Sequence, residues 1–128
     1  MSTPRLGQDL VSIPRLAAAL ARHEAGFRRR VYTAAEWQAC AARADRDAAL
    51  ATRFAAKEAA LKALGTGWGA GGGLCEVEVL GGGRSAPRLA LHGRAAERAR
   101  ALGVTLEVSL SHDGDLALAV VLAWPQAT

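Results

Sequence analysis

The sequence predicts an α+β fold, a single compact domain over residues 1–128 in which an antiparallel sheet packs against a long central helix. Residues 5–13 alternate in side-chain character as a strand does, and residues 50–64 repeat with helical spacing. Two more strand-like segments flank an Asp-Gly turn near the C-terminus. The elements do not alternate as a parallel βαβ arrangement requires, which favours an antiparallel sheet.

The first strand is predicted from Leu6 to Ile13. Gly7, Asp9 and Val11 share one face of it, so the Asp9 carboxylate lies among apolar neighbours. A carboxylate in that position is costly unless it is paired or binds a cation. The alternative is an aspartate at the strand end that turns to water.

Two short helices are expected next. Pro14 suits the first turn of a helix that runs to His23 or Glu24, with Gly26 as its stop. The segment from Thr33 to Glu36 has the pattern of a capping box and opens the second helix.

The third and central helix is capped by Asp45 or Asp47 and runs to Leu64. One apolar stripe follows it at helical spacing, formed by Leu50, Phe54, Leu61 and Leu64.

Glu58 flanks the apolar stripe of the central helix, where it is only partly hydrated. Lys62 is one turn further on, and Gly65 ends the helix. Residues 65–73 are glycine-rich and are predicted either to close over a ligand or to be a slack connector. An acid and a base beside such an exit suit a metal ion and an anion; the alternative is a solvated Glu58–Lys62 surface pair.

The second half of the chain alternates strands with one helix. Strands are predicted at Leu74–Leu80 and Arg88–His92, a helix at Arg94–Leu102, and a final hairpin at Val104–Leu110 and Leu116–Ala123. In the first of these strands Cys75, Val77 and Val79 are predicted to point inward and Glu76 and Glu78 outward. Both faces of the last strand are apolar, which indicates burial on both sides or a subunit contact.

Ser111 and His112 lie at the mouth of the final hairpin, just before Asp113 and Gly114. A histidine in this position is either a ligand-binding group or a solvated turn residue.

Composition narrows the classes of function. Hydrophobic residues make up 51% of the chain but aromatic residues only 5%, so the core is built from small side chains and favours burial against other subunits. The net charge of +4 suits nucleic acid, an anionic membrane or an acidic partner. No aromatic residues are interleaved with the basic ones, so nucleic acid is not expected as a partner. No apolar run is long enough for a membrane span, and the two cysteines are expected as reduced thiols in the cytoplasm.

Three segments together resemble a known family. They are the Gly-x-Asp-Leu-Val strand Gly7–Val11, the segment Arg53–Gly67 with its Lys-Glu-x-x-x-Lys core, and the hairpin segment Ser109–His112. The chain is similar in them to the 4′-phosphopantetheinyl transferases, in particular the compact holo-[acyl-carrier-protein] synthase type. Phe27 and the Thr33–Glu36 segment extend the resemblance over nearly the whole chain.

The resemblance implies a reaction. The 4′-phosphopantetheine group of coenzyme A passes to a serine of apo-acyl carrier protein with Mg²⁺ as cofactor, and adenosine 3′,5′-bisphosphate is released. It also implies a cytoplasmic homotrimer with active sites at subunit interfaces. The carrier protein could belong to fatty-acid or to polyketide synthesis.

The resemblance also assigns site residues. Asp9 and Glu58 would bind the metal and, with Lys62, form the catalytic group, either Glu58 or a metal-bound water removing the serine proton. Coenzyme A would be bound by Arg53, Lys62, Gly65, Pro87 and His112. Carrier-protein docking would involve Arg15, Arg22 and Phe27.

Two positions depart from the family pattern: Arg5 replaces a common glycine, and Ser12 replaces a common acid. The alternative function is a non-catalytic basic module that binds an acidic protein or nucleic acid. That alternative accounts for the charge but not for the spacing of Asp9, Glu58 and His112.

Overall fold

The computed structural model describes residues 3–66 and 73–127. In chain order its elements are β1 (Arg5–Ser12), α1 (Ile13–Arg22), α2 (Glu24–Val31), α3 (Ala34–Ala41), α4 (Arg46–Ala63), a 3₁₀ turn (Leu74–Glu76), β2 (Val77–Leu80), β3 (Arg88–Leu91), α5 (Gly93–Leu102), β4 (Val104–Asp113) and β5 (Leu116–Pro125). The predicted α+β class with antiparallel sheet and long central helix is confirmed.

The main sheet has the strand order β1-β5-β4 and is antiparallel throughout. Its register pairs Asp9 with Ala119 and His112 with Ala117, so both polar residues lie on the face that carries the buried alanines of β5. The strands β2 and β3 form a separate antiparallel pair.

The sheet packs on α4 through small residues. The alanines of α4 that are fully buried are Ala51, Ala55, Ala56, Ala59, Ala60 and Ala63. Gly7 permits the contact with β1, because a Cβ there would lie 2.7 Å from the Ala63 amide nitrogen and would also clash with the Ala59 carbonyl oxygen. The predicted small-residue core is therefore what lets strand and helix approach so closely.

A buried ion pair joins α3, α4 and β2. The Lys57 Nζ donates to Glu36 Oε1 at 2.6 Å and to the carbonyl oxygens of Leu74 at 3.1 Å and Val77 at 2.7 Å. Glu36 Oε2 accepts from the Val79 amide at 2.8 Å. Burial lowers the pKa of Lys57, and the Glu36 carboxylate opposes that shift. Because each Lys57 proton has an acceptor, the pair can be held in a dry site.

Several predicted elements are confirmed to within a few residues: β1, the Thr33–Glu36 capping box, α4, α5 and the final hairpin. Gly26 as a helix stop is wrong, because it lies inside α2, a helix that was not predicted. α2 carries three consecutive arginines and has one buried residue, Val31, so its own periodicity is weak.

Two further predictions need correction. Leu74–Glu76 is a 3₁₀ turn rather than the start of a strand, so Cys75 is only partly buried while Val77 and Val79 face inward as predicted. The carboxylates of Asp45 and Asp47 make no capping hydrogen bond to α4. The predicted ligand-covering or slack segment 65–73 lies mostly outside the described residues, at 67–72.

The last strand has one buried face and one open face within a single chain. Ala117, Ala119, Val121 and Ala123 are fully buried on α4. The opposite face of the sheet, here the outer sheet face, exposes Leu6, Leu10, Leu116 and Trp124, with Leu6 70% exposed. Burial of β5 on both sides is therefore wrong for the single chain. Across residues 3–66 and 73–127, no helix is long and apolar enough to cross a membrane.

We expect Lys57→Met to lower the free energy of unfolding by about 3–5 kcal/mol, because it leaves the Glu36 carboxylate buried without its cation. Urea unfolding measures the change. The matched control is Lys62→Met, because the Lys62 side chain is 55% exposed and the loss of its charge should cost no more than about 1 kcal/mol. Similar losses in the two variants would contradict a central role for the buried pair.

Candidate active site

An open cleft of about 530 Å³ brings together five of the predicted site residues. β1 contributes Asp9, α4 contributes Glu58, α1 contributes Arg15 and Arg22, and α2 contributes Phe27. We call it the carboxylate cleft. The sequence places these residues up to 49 positions apart, and the packing of α1 and α2 beside α4 makes them neighbours.

Lys62 reaches this region by pairing with Asp9. Its Nζ donates to Asp9 Oδ1 and to the Gln8 carbonyl oxygen, each at 3.0 Å. The alternative of a Glu58–Lys62 surface pair is therefore not the arrangement that forms. The ammonium balances one carboxylate, and its side chain is exposed enough to move when another cation arrives.

Glu58 is the perturbed carboxyl of the cleft. Burial raises its pKa, the nearby Asp9 carboxylate raises it further, and Lys62 lowers it. Two acidic groups thus share a partly dry region with one cation. Over the described part of the chain, no group of three or more His, Cys, Asp or Glu residues is arranged to hold a metal. A cation in the cleft could therefore bind two carboxylates of the protein, and its remaining ligands would have to come from other molecules.

Phe54 is a cleft residue that the sequence indicated only as part of the apolar stripe. It lines the cleft beside Glu58 and stacks on Phe27, with ring centroids 6.0 Å apart and planes at 21°. The pair gives the cleft an apolar wall next to its charged floor. Its place four residues before Glu58 on one helix was the available signal.

Arg53 and His112 lie apart from that group, in a smaller cavity of about 120 Å³ that we call the arginine cavity. Arg53 is buried and donates to the carbonyl oxygens of Ala49 at 3.1 Å and Gly81 at 3.0 Å, while its Nε has no hydrogen-bond partner. Arg43 also lines this cavity and was not predicted.

Pro87 lies beside the arginine cavity. A Cβ at Gly82, which lines the cavity, would be 3.8 Å from the Pro87 Cβ and 3.3 Å from Arg53 Nη2. The turn at Gly82 therefore brings the predicted nucleotide-binding proline to the cavity wall.

Gly65 is flanked by two guanidinium groups. Its φ of 74° is the left-handed conformation that favours glycine, and a side chain there would meet Arg5 and Arg98. Arg5 Nε donates to the Ala63 carbonyl oxygen at 2.9 Å, and Arg98 Nε donates to that of Leu64 at 3.1 Å. Both cations complement the negative end of α4. Arg5, a departure from the family pattern, thus has a local structural partner.

Ser12, the other departure, begins α1. Its Oγ accepts from the Arg15 amide at 3.3 Å, and the residue lines the carboxylate cleft. The hydroxyl therefore acts as a helix cap in the position where the family resemblance led us to expect an acid.

The chain is similar to known proteins over most of its length. The family model of the 4′-phosphopantetheinyl transferase superfamily matches residues 5–121. The chain is 48% identical over 119 residues to the holo-[acyl-carrier-protein] synthase of Edwardsiella ictaluri, covering 92% of this chain and 94% of that one. It is 47% identical over 125 residues to the synthase of Herpetosiphon aurantiacus, with 91% and 94% covered.

The chain belongs to the 4′-phosphopantetheinyl transferase superfamily. The predicted family and the predicted enzyme class, phosphopantetheinyl transferase, are confirmed. This assignment favours an enzyme over the non-catalytic basic module.

Solved structures of phosphopantetheinyl transferases have the same fold. The Helicobacter pylori holo-[acyl-carrier-protein] synthase in complex with coenzyme A superposes with a TM-score of 0.80 at 30% identity, covering 93% of this chain and 99% of that one. The Chronobacterium ammoniagenes synthase–coenzyme A complex gives a TM-score of 0.83 at 34% identity, with 98% and 100% covered.

We expect Glu58→Gln to stabilise the metal-free protein at neutral pH. Because the folded-state pKa of Glu58 is raised, stability falls as pH rises from the ordinary carboxyl range through the raised pKa, and glutamine removes that penalty. Solvent screening limits the gain to less than about 1 kcal/mol. Urea unfolding at pH 4 and pH 7 measures it, with exposed Glu97→Gln as control. A gain at pH 4 as large as that at pH 7 would contradict the assignment.

Proposed function

We propose that this protein transfers the 4′-phosphopantetheine group of coenzyme A to a serine of apo-acyl carrier protein, with Mg²⁺ as cofactor. The observation that carries the proposal is the carboxylate cleft, in which Asp9 and Glu58 lie beside the basic residues Arg15 and Arg22. Family membership supplies the reaction class. The cleft combines two carboxylates that could bind a cation with two arginines that could dock an acidic partner.

The reaction exchanges one phosphorus–oxygen bond for another. The serine oxygen of the carrier attacks the β-phosphorus of coenzyme A, and the bond from that phosphorus to the bridging oxygen breaks. Adenosine 3′,5′-bisphosphate leaves with the bridging oxygen. The serine proton would go to Glu58 or to a water molecule held at the metal site.

The donor set of the cleft fits magnesium. Mg²⁺ prefers one or two carboxylates together with substrate phosphate oxygens and water, and Asp9 and Glu58 offer two carboxylates. Burial is the main cause of the raised pKa of Glu58, and the Asp9 carboxylate adds a repulsion that a divalent cation would offset. When bound, the ion would neutralise negative charge on the pyrophosphate.

The basic residues of the two cavities would bind coenzyme A. Lys62, already paired with Asp9, can turn to a phosphate once a cation occupies Asp9. In the arginine cavity, Arg53 has an unpartnered Nε and His112 lines the same wall, which suits the 3′-phosphate. Gly65 would contribute through the Arg5 and Arg98 guanidinium groups beside it, and Pro87 would contact the adenosine from its place beside the arginine cavity.

Docking of the carrier protein is proposed along α1 and the start of α2. Arg15 and Arg22 line the cleft beside Phe27, whose ring provides an apolar contact. Basic side chains around an apolar residue suit an acidic helical partner, and the net charge of +4 adds long-range attraction.

A homotrimer is proposed from the outer sheet face. Leu6 pairs across the sheet with Leu122, and Leu10 with Leu118, so that apolar side chains run across β1 and β5. An exposed apolar face of this extent usually marks a protein contact. We place the protein in the cytoplasm, which its two free cysteines support.

Incubation with apo-acyl carrier protein, coenzyme A and Mg²⁺ tests the activity. Mass spectrometry should show the carrier gaining one phosphopantetheine group, with adenosine 3′,5′-bisphosphate as co-product. Asp9→Asn should lower the rate at least about a hundredfold and should abolish the rise in Tm that Mg²⁺ with coenzyme A produces in the unmodified protein. A carrier mass that stays unchanged would refute the transferase proposal, and an unaltered Mg²⁺ response in Asp9→Asn would refute the metal site alone.

Arg15→Glu should raise the KM for apo-carrier protein up to roughly tenfold at low salt, because charge complementarity acts mainly on the encounter rate. The KM for coenzyme A should stay nearly constant, and the effect should shrink as ionic strength rises. Steady-state kinetics at two salt concentrations measure this, with Arg100→Glu on α5 as control. A change confined to the coenzyme A term would place Arg15 in the nucleotide site.

Light scattering at micromolar concentration should give about three times the 13.3 kDa chain mass. Leu6→Glu combined with Leu122→Glu should lower that mass, because both side chains lie on the outer sheet face. Ala101→Glu on the exposed side of α5 serves as the control. A monomeric unmodified protein with full activity would contradict the trimer.

A further inference from the structure

The arginine cavity contains a charge pair that was not predicted from the sequence. Arg43 Nε donates to Asp45 Oδ1 at 2.8 Å, and Arg43 Nη2 donates to Asp45 Oδ2 at 2.9 Å. Both residues line the cavity with Arg53 and His112. Asp45 is the one acidic residue among the described residues of that lining.

Arg43 and His112 both act on the Asp45 carboxylate. The hydrogen bonds from Arg43 are the main cause of its lowered pKa, and the charge of His112 contributes in the same direction. Asp45 is the residue before α4, but its side chain makes no capping hydrogen bond to the helix. The Asp45 side chain is 46% exposed and accepts both hydrogen bonds from Arg43, so its structural effect is to occupy that guanidinium.

The guanidinium groups of the cavity have donor capacity that Asp45 does not use. Arg53 is 3% exposed, and its Nε is left without a hydrogen-bond partner. The Arg43 side chain is 32% exposed and reaches toward the glycine turn, with Nη1 4.0 Å from the position of a Cβ at Gly83. Arg43 can therefore change partners without disturbing the core.

We propose that Asp45 is an internal counter-ion, which the 3′-phosphate of coenzyme A displaces from Arg43 when the nucleotide binds. Carboxylate and phosphate present similar pairs of oxygens to a guanidinium fork, so they compete for the same donors. A second anion at the same fork also repels the first. The Arg43–Asp45 pair then sets how strongly the protein distinguishes coenzyme A from 3′-dephospho-coenzyme A. This inference rests on the proposed coenzyme A site.

Two substitutions should move affinity in opposite directions. Asp45→Asn removes the competing charge and should tighten binding of coenzyme A roughly threefold. Arg43→Gln removes a phosphate ligand and should weaken it about tenfold. Neither should change binding of 3′-dephospho-coenzyme A more than about twofold. If Asp45 acts through Arg43, adding Asp45→Asn to Arg43→Gln should have little further effect.

Isothermal titration calorimetry with the two nucleotides tests this, and adenosine 3′,5′-bisphosphate against adenosine 5′-monophosphate repeats the comparison with smaller probes. Asp47→Asn and Arg100→Gln are the matched controls, since both residues lie outside the arginine cavity. The Tm of each variant, measured without ligand, checks that the fold is retained.

Different outcomes test the counter-ion role of Asp45 and the proposed coenzyme A site separately. An Asp45→Asn variant that binds coenzyme A more weakly, with the same affinity, or with an equal gain for the dephosphorylated nucleotide would overturn the counter-ion role. An unmodified protein that binds neither nucleotide would overturn the proposed coenzyme A site itself. Opposite, 3′-phosphate-dependent shifts in Asp45→Asn and Arg43→Gln support the proposal.

Discussion

The buried Lys57–Glu36 pair determines how α4 is turned, and both cavities depend on that orientation. Lys57 directs its ammonium toward α3 and β2, where it meets one carboxylate oxygen and two carbonyl oxygens. Successive helix residues are rotated by about 100°. With Lys57 held inward, Glu58 is turned to the carboxylate cleft. Arg53, four residues before Lys57 on the same side, is directed to the arginine cavity. The buried pair thus directs Glu58 to one cavity and Arg53 to the other.

The site has a charge arrangement that a stable core would avoid. Asp9 and Glu58 lie in one partly buried region. Burial and repulsion by the Asp9 carboxylate both disfavour ionisation of Glu58, and Lys62 offsets only part of this. Such a pair lowers the stability of the metal-free protein, and it is favourable only when a cation arrives. The buried pair at Lys57 is the opposite case, since its donors and acceptors are matched within the protein. The molecule therefore has a satisfied structural ion pair in its core and, in the cleft, two carboxylates that share one cation, Lys62.

Small residues decide the shape of the domain. Gly7 and the alanines of α4 let β1 lie almost on the helix backbone, which brings Asp9 near Glu58 and Lys62. The small core also leaves α4 as the main helix that covers one face of the sheet. The outer sheet face keeps its leucines and Trp124 exposed in one chain. Close packing around the cleft and an open apolar sheet face are thus two results of one small core, and the second is what the proposed trimer would cover.

Short-range sequence patterns were enough to predict most helices and strands and most of the candidate site residues. Strand alternation placed Asp9 on the inner face, the capping box located α3, and the Lys-Glu-x-x-x-Lys segment identified α4 and the family, since all three are short-range patterns. The contacts between these side chains depend on long-range packing, which no short-range pattern encodes. The partner of Lys62 is Asp9, 53 residues away, and the partners of Lys57 lie 17 to 21 residues away. α2 escaped prediction because an Arg-rich helix with one buried residue owes its stability to packing rather than to its own pattern. The pairing of Arg43 with Asp45 was missed because an aspartate just before a helix is ordinarily a cap, and only the cavity beside it shows the competing guanidinium.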